Sequence, residues 1–128
     1  MYKLSGQSLA RLNGVDPRII EIVDHALTIT PIDFGIPDHG GFRTPMEQHE
    51  LFNKGVSKCD GFALLSEHQN GLAFDIYAYT DGKASWDRGH LTAVAAAILQ
   101  SASVLGYALE WGGHWASWQD MPHFQLVG

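Results

Sequence analysis

Residues 66–75, SEHQNGLAFD, place a histidine and an aspartate in one short segment that is typical of β-structure. Asn70–Gly71 is the strongest short signal for a two-residue hairpin turn, so we expect the turn to bring His68 back towards Asp75. Burying a polar or charged side chain costs free energy unless the group is paired or binds a metal ion. The segment therefore indicates either a solvated sheet edge or a site that makes burial of both side chains favourable.

Three segments carry the end signals and apolar spacing of α-helices. Asp16 and Thr44 are favoured N-cap residues, each followed by a proline at the first helical position. Glu47 completes a capping box with Thr44, and Gly106 is a typical helix stop. The predicted helices begin at Pro17, at Pro45 and at about Trp86, and the last two run to Gly55 and Leu105.

Alternating segments outside these helices predict short β-strands at residues 32–36 and at both ends of the tail 107–126. Residues 63–86 are predicted to form two or three antiparallel strands with a second tight turn at TDGK. The pattern predicts an α+β fold in which a small antiparallel sheet has helices packed on one side. The length of 128 residues is that of one domain, and we expect residues 1–128 to form it.

Charge and composition exclude several classes of function. Fourteen acidic against eight basic residues give a formal charge of −6, which argues against a nucleic-acid partner and gives no electrostatic attraction to an anionic membrane. The segment MYKLSGQSLARLNG lacks the apolar run of a signal peptide, so we expect the chain to fold in the cytoplasm. The single cysteine, Cys59, cannot form an intramolecular disulfide and is interpreted as a structural residue.

Three residues predicted on or beside strands have the chemistry of metal ligands. His68, Asp75 and His123 offer two imidazole nitrogens and one carboxylate oxygen, which are donors that zinc takes in catalytic sites, with the fourth position left for water. Spacing alone leaves open the alternative that each histidine lies at the surface or only supports a site. The other histidines are expected to bind nothing: His25, His39, His49, His90 and His114.

Two further residues are candidates for the chemistry around such an ion. Asp120 precedes His123 in the short segment DMPH, and a carboxylate beside activated water can act as a general base. Arg43 comes just before a predicted helix N-terminus, where its charge opposes the helix dipole, so it is not placed for helix stability. Its paired N–H donors suit a substrate carbonyl or carboxylate. The alternative for Asp120 is a turn-forming residue.

The pattern SxHxxGxAxD, which begins at Ser66, resembles the signature of zinc peptidases of bacterial cell walls. These are the VanX/VanY-type D,D-peptidases and the L-alanyl-D-glutamate peptidases. EWGGHWASWQDMPHFQL resembles the second half of that family's site, and GFRT resembles its arginine segment. DGKASWD and EWGGxW are similar to the L-alanyl-D-glutamate branch in particular, and the N-terminal helix is similar to that of short phage endolysins.

The resemblance implies a role for each candidate. His68, Asp75 and His123 would bind zinc, Asp120 stands at the position of the catalytic carboxylate, and Arg43 stands at that of the substrate-polarising arginine. The implied fold is the α+β fold shared by the D,D-peptidases and the hedgehog signalling domain.

The chain departs from the branch at two positions. It has His114 where WGGDW is usual, and Gln125 where PHFEL is usual. Neither position is an implied ligand, so the departures concern substrate preference and the charge around Asp120. Glu110 lies far along the chain from His123, so a supporting role is expected for it.

The resemblance implies a zinc-dependent endopeptidase that cuts the peptide stem of peptidoglycan, between L-alanine and D-glutamate. It implies a phage endolysin, expected to be a monomer, that accumulates in the host cytoplasm until a holin opens the membrane. Two alternatives stay open at this point: a D-alanyl-D-alanine carboxypeptidase and a non-catalytic zinc-binding module on the same fold.

Overall fold

The computed structural model describes residues 1–128 as four α-helices, two short 3₁₀-helices and six β-strands. The helices are α1 (Gly6–Arg11), α2 (Pro17–Ile29), α3 (Pro45–Asn53) and α4 (Arg88–Leu105), and the 3₁₀-helices span Glu67–Asn70 and Gly112–His114. The predicted caps of α2 and α3 are confirmed, including the Thr44–Glu47 capping box. Helix α4 begins at Arg88 rather than Trp86 because the Asp87 side chain caps it. None of these helices combines the length and apolar character needed to cross a bilayer.

The strands form two small antiparallel sheets, where the sequence predicted one. They are β1 (Asp33–Gly35), β2 (Ala73–Asp75), β3 (Tyr77–Thr80), β4 (Lys83–Ser85), β5 (Leu109–Trp111) and β6 (His123–Leu126). The sheet orders are β1–β3–β4 and β2–β6–β5. The α+β class is confirmed, and so is the TDGK hairpin, which joins β3 to β4 with Thr80 paired to Lys83.

The core lies between the packed helices α2 and α4 and the buried faces of the sheets. It contains 19 buried apolar residues, among them Ile19, Ile22, Val94 and Ile98, and each fully buried Ile or Val side chain contributes about 1.5–3 kcal/mol of transfer free energy. Phe74 of β2 and Phe124 of β6 stack at 5.2 Å between ring centroids. Side chains alternate between the two faces along a strand. Because Phe74 and Phe124 point into the core, their neighbours Asp75 and His123 point to the opposite face of the sheet.

The predicted hairpin turn at Asn70–Gly71 is wrong. Ser66 instead caps the 3₁₀-helix, and its partner three residues later, Gln69, completes a capping box. Gly71 ends this helix with φ of 72°, a left-handed conformation that glycine adopts without strain. His68 therefore lies on a helical turn and not on a strand, because the S-x-x-Q capping signal outweighs the Asn-Gly signal here.

Within residues 63–86, where the sequence predicts two or three antiparallel strands, β2 and β3 are separated at Ile76. Asp75 donates its backbone N–H to Gly40 at 2.7 Å, and Ile76 donates to Pro122 at 3.0 Å. The chain thus leaves one sheet at Asp75 and enters the other at Tyr77. This break places Asp75 at the end of β2, next to the start of β6.

Candidate active site

Three side chains from separate elements meet at the end of the β2–β6–β5 sheet. His68 comes from the first 3₁₀-helix, Asp75 ends β2, and His123 begins β6 as the direct strand partner of Asp75. One ligand atom from each residue lies within 4.8 Å of the other two. The structure therefore brings together the three residues that the sequence predicted as metal ligands.

The Asp75 carboxylate is shared between both imidazoles and a guanidinium. Its Oδ1 lies 3.4 Å from His68 Nε2 and 3.1 Å from His123 Nδ1, while Oδ2 accepts a hydrogen bond from Arg43 Nη2 at 3.1 Å. Burial acts to raise the pKa of Asp75, but the facing His68 and His123 outweigh it and hold this pKa well below its usual range. Asp75 is therefore ionised at neutral pH, as a metal ligand has to be.

The far nitrogen of each imidazole faces an oxygen that fixes the ring. His68 Nδ1 lies 2.9 Å from the Gly41 carbonyl oxygen, and His123 Nε2 lies 2.8 Å from Gln125 Oε1. Both oxygens accept a hydrogen bond, so each ring donates an N–H through its far nitrogen, and its other nitrogen is the one that faces Asp75 and would bind a metal ion. Such outer contacts orient metal-binding histidines and select their tautomers.

The donor set fits zinc. Two imidazole nitrogens and one carboxylate oxygen are a usual set of three protein ligands at a catalytic zinc, whose fourth position stays open. The three residues are held by outer hydrogen bonds, and they open onto a cleft that substrate can enter. The group could therefore hold a metal ion.

Arg43 is fixed by three hydrogen bonds at the base of the cleft. Its Nε donates to the His39 carbonyl at 2.7 Å, its Nη1 to Gln48 Oε1 at 3.0 Å, and its Nη2 to Asp75. Burial lowers the pKa of Arg43 and the charge of Asp75 acts to raise it, yet a guanidinium stays charged throughout the working range. These contacts explain why a cation stands just before the N-terminus of α3.

Asp120 lines the same cleft as the His68–Asp75–His123 group. Its backbone N–H donates to the Gly112 carbonyl at 3.0 Å, and its carbonyl accepts from His123 N–H at 3.1 Å. Gly112 is needed here, because a Cβ at this position would collide with the Asp120 carbonyl. Burial and then the negative charge of Asp75 raise the pKa of Asp120. A carboxylate with a raised pKa takes up a proton more readily, which suits a general base.

The cleft has a volume of about 470 Å³, and three tryptophans, Trp86, Trp115 and Trp118, contribute to its walls. The Trp115 ring lies 5.3 Å from the His123 ring. Its Nε1–H donates to Glu110 Oε1 at 2.8 Å, so Glu110 holds a tryptophan that packs beside a candidate ligand. This contact gives the supporting role predicted for Glu110 a structural basis.

The remaining candidates lie away from the three-residue group. The five histidines expected to bind nothing are outside it, and His114 packs its ring against Trp111 at 4.8 Å from an exposed position. Cys59 lines the cleft, but burial raises the pKa of its thiol. A raised pKa disfavours the thiolate that a nucleophilic cysteine needs.

Sequence reasoning missed the buried link between Arg43 and the segment that follows α3. Gln48 is the one buried residue of α3 and is fully inaccessible. Its Oε1 accepts from Arg43, and its Nε2 donates to Ser57 Oγ and to the Cys59 carbonyl, both at 2.8 Å. The apolar spacing used to find helix faces gives no signal for a polar residue in this position.

The arrangement can bring a metal ion, a carboxylate base and a bound substrate together in one open cleft. Those are the requirements of metal-assisted hydrolysis. The class of protein that the fold and the site point to is therefore a hydrolase with a group that could hold a metal ion.

Comparison with known proteins specifies the class. The family model described as phage L-alanyl-D-glutamate peptidase matches residues 1–127, and the chain belongs to that family. An L-alanyl-D-glutamate peptidase of Escherichia phage T5 is 30% identical over 115 residues, which cover 89% of this chain and 82% of the relative.

Solved structures agree with this assignment. The L-Ala D-Glu endopeptidase ChiX of Serratia marcescens superposes with a TM-score of 0.85 at 31% identity, over 98% of this chain and 90% of that one. DacB of Streptococcus pneumoniae D39 superposes with a TM-score of 0.51 at 24% identity, over 91% of this chain and 68% of that one. The likeness to DacB concerns the fold alone.

Membership of this family confirms the predicted activity, which is peptidase cleavage of peptidoglycan at the L-alanyl-D-glutamate bond. It also favours this activity over the two alternatives left open by the sequence, the D-alanyl-D-alanine carboxypeptidase and the non-catalytic module.

Proposed function

We propose that the chain is a zinc-dependent endopeptidase in which His68, Asp75 and His123 hold the ion and Asp120 is the general base. The observation that carries the proposal is the placement of a carboxylate with a raised pKa in the same cleft as the three-residue donor group. When bound, zinc would act as a Lewis acid and would lower the pKa of a coordinated water to about 7.

The residues of the chain then have separate tasks. Asp120 accepts a proton from the attacking water and returns it to the amine that leaves as the peptide bond breaks. Asp75 balances the positive charge at the site, and Arg43 holds Asp75 Oδ2 so that Oδ1 stays turned towards the imidazoles. The N–H groups of Arg43 that are not used in these bonds are available to polarise the scissile carbonyl.

Replacing Asp120 with Asn tests the base directly, because the amide keeps the size of the side chain but accepts no proton. We expect kcat on isolated peptidoglycan to fall about 10²- to 10⁴-fold, with bound zinc unchanged. Asp38→Asn is the matched control, since Asp38 is an exposed carboxylate of the same cleft and we expect near-normal kcat. Turnover of Asp120→Asn close to wild type would remove Asp120 from the role of base.

We further propose that the enzyme acts as a monomeric endolysin. It would accumulate in the host cytoplasm and reach the cell wall after holin-type opening of the membrane. Light scattering tests the oligomeric state against the chain mass of 14.1 kDa. Expression inside host cells with and without a holin tests the route: rapid lysis without any membrane-opening protein would contradict it.

A further inference from the structure

Lys58 is a cation in the cleft that forms no ion pair with a carboxylate of the chain. Its Nζ instead lies 4.1 Å from the centroid of the Trp118 ring, a distance at which a cation and an aromatic face attract each other. Lys58 and Trp118 come from segments that are distant in the sequence and that both line the cleft, and both residues are exposed. An ammonium held in this way stays available to a substrate anion.

The backbone around Lys58 is fixed to the candidate active site. Gln48 donates to Ser57 Oγ and to the Cys59 carbonyl, the residues on either side of Lys58. The same amide accepts a hydrogen bond from Arg43, which pairs with Asp75. A chain of hydrogen bonds therefore sets where Lys58 stands relative to the metal-binding residues.

The contact partner of Lys58 is also held in an unusual conformation. Trp118 has φ of 51°, in the left-handed region that residues other than glycine rarely adopt. The next residue, Gln119, is held by hydrogen bonds to the Gly113 carbonyl at 3.0 Å and from Arg88 at 3.1 Å. Strained backbone that its neighbours hold in place is concentrated at ligand-binding sites.

Among the charged residues that line the cleft, Lys58 is the one best placed to bind an anionic group of the substrate. Four carboxylates line the cleft, those of Asp38, Glu67, Asp75 and Asp120, against the two cations Arg43 and Lys58. Arg43 is committed to Asp75 and has a side chain only 11% exposed. Unlike Arg43, Lys58 has its ammonium free of any carboxylate.

The substrate of this family carries such an anionic group. When the amine of a glutamate is acylated by alanine, the glutamate still has two carboxyl groups, and a linear stem continues through only one of them. The other remains close to the scissile bond as a free carboxylate. We propose that Lys58 recognises this carboxylate and makes the enzyme selective for glutamate over its amidated form, an inference that rests on the proposed function.

Two synthetic stem peptides that differ only at this group test the inference. One keeps the free carboxylate of the D-glutamate and the other carries a carboxamide there, and cleavage of each is followed by mass spectrometry. We expect wild type to prefer the acid peptide about tenfold in kcat/KM, as a charge-assisted contact gives. Lys58→Met keeps the length of the side chain without its charge, and we expect its ratio of acid to amide kcat/KM to fall to about one.

Further variants separate recognition from folding and from general charge. Lys58→Arg keeps the cation and is expected to keep a preference for the acid peptide. Lys54→Met removes a lysine that is exposed outside the cleft and is expected to keep the wild-type ratio. Bound zinc and the melting temperature, measured for every variant, show whether the fold is intact.

Each remaining outcome overturns the inference. A fall of Lys58→Met by the same factor on both peptides would show that Lys58 has a structural role only. An unchanged ratio with unchanged rates would show that another group reads the carboxylate. If wild type cleaves neither peptide between alanine and glutamate, the proposed function itself fails, and this result is distinct from cleavage of both peptides at equal rates.

Discussion

The floor and the rim of the cleft are built in different ways. We define the floor as His68, Asp75, His123 and Arg43, and the rim as Lys58, Trp86 and Trp118. The floor side chains are between 3% and 18% exposed, whereas the two rim tryptophans are 53% and 54% exposed.

Hydrogen bonding separates the two regions as clearly as exposure does. Every floor residue has at least two polar partners, but the rim lysine is held by one contact with an aromatic ring. The difference indicates that the geometry for the reaction is fixed by interlocking contacts, while recognition is left to groups that can adapt to a substrate.

The largest loss of activity is expected when one of the candidate metal ligands of the floor is removed. Loss of the metal forfeits several kcal/mol of transition-state stabilisation, so we expect His123→Ala to lower kcat/KM at least about a thousandfold. Zinc content by elemental analysis should fall with it. His90→Ala, outside the cleft, serves as the control and is expected to keep both activity and zinc. A His123→Ala enzyme that kept full activity would show that the floor does not carry the reaction.

Gln48 forms hydrogen bonds both with Arg43 of the floor and with the residues on either side of Lys58 of the rim. Replacing it should therefore change the geometry of both regions. Gln48→Leu leaves Arg43 Nη1 and the Cys59 carbonyl without their partner, and each buried group left unsatisfied costs about 1–3 kcal/mol. We expect a loss of that order in the free energy of unfolding, measured with urea. Loss of an outer contact should also weaken zinc binding about 10- to 100-fold.

Gln100→Leu, on the exposed side of α4, controls for the general effect of the substitution. If Gln48→Leu lost stability but kept wild-type zinc affinity and selectivity, the two regions would be independent of each other.

A smaller effect is expected at Gln125, which touches the floor only through His123. Gln125→Leu removes the oxygen that accepts from His123 Nε2–H and leaves the tautomer unspecified. We expect zinc affinity to fall about tenfold, at the low end for an outer contact, with little change in the unfolding free energy because Gln125 is only partly buried. Competition with a chromophoric chelator measures the affinity. Undiminished affinity would mean that Asp75 alone orients the ring.

Local signals in the sequence predicted α2, α3, α4 and the TDGK hairpin well. Asp16, Thr44 and Gly106 act through hydrogen bonds and backbone angles within a few residues, so their effect is visible in the sequence itself. The SxHxxGxAxD pattern located His68 and Asp75 of the floor even though the local structure predicted around His68 was wrong. The resemblance carried by this pattern implies which residues are candidate ligands, and the helical turn only sets how His68 reaches Asp75.

The rest depends on contacts between distant segments. The break at Ile76 arises because Pro122, which falls opposite Ile76 in the register of β2 and β6, has no N–H to donate back, and because the Asp75 N–H is bound to Gly40. Gln48 and Lys58 reach their positions only when the segment after α3 folds back over that helix. No local pattern encodes these approaches, so neither residue was predicted from the sequence.

The most direct measurement of the central claim is the position and amount of metal in the purified enzyme. We predict one zinc ion per chain by elemental analysis, with an anomalous diffraction peak at the zinc edge between His68 Nε2, His123 Nδ1 and Asp75. Removal of the ion by a chelator should abolish cleavage, and added zinc should restore it. A fully active enzyme without metal, or a zinc peak away from these three side chains, would contradict the account.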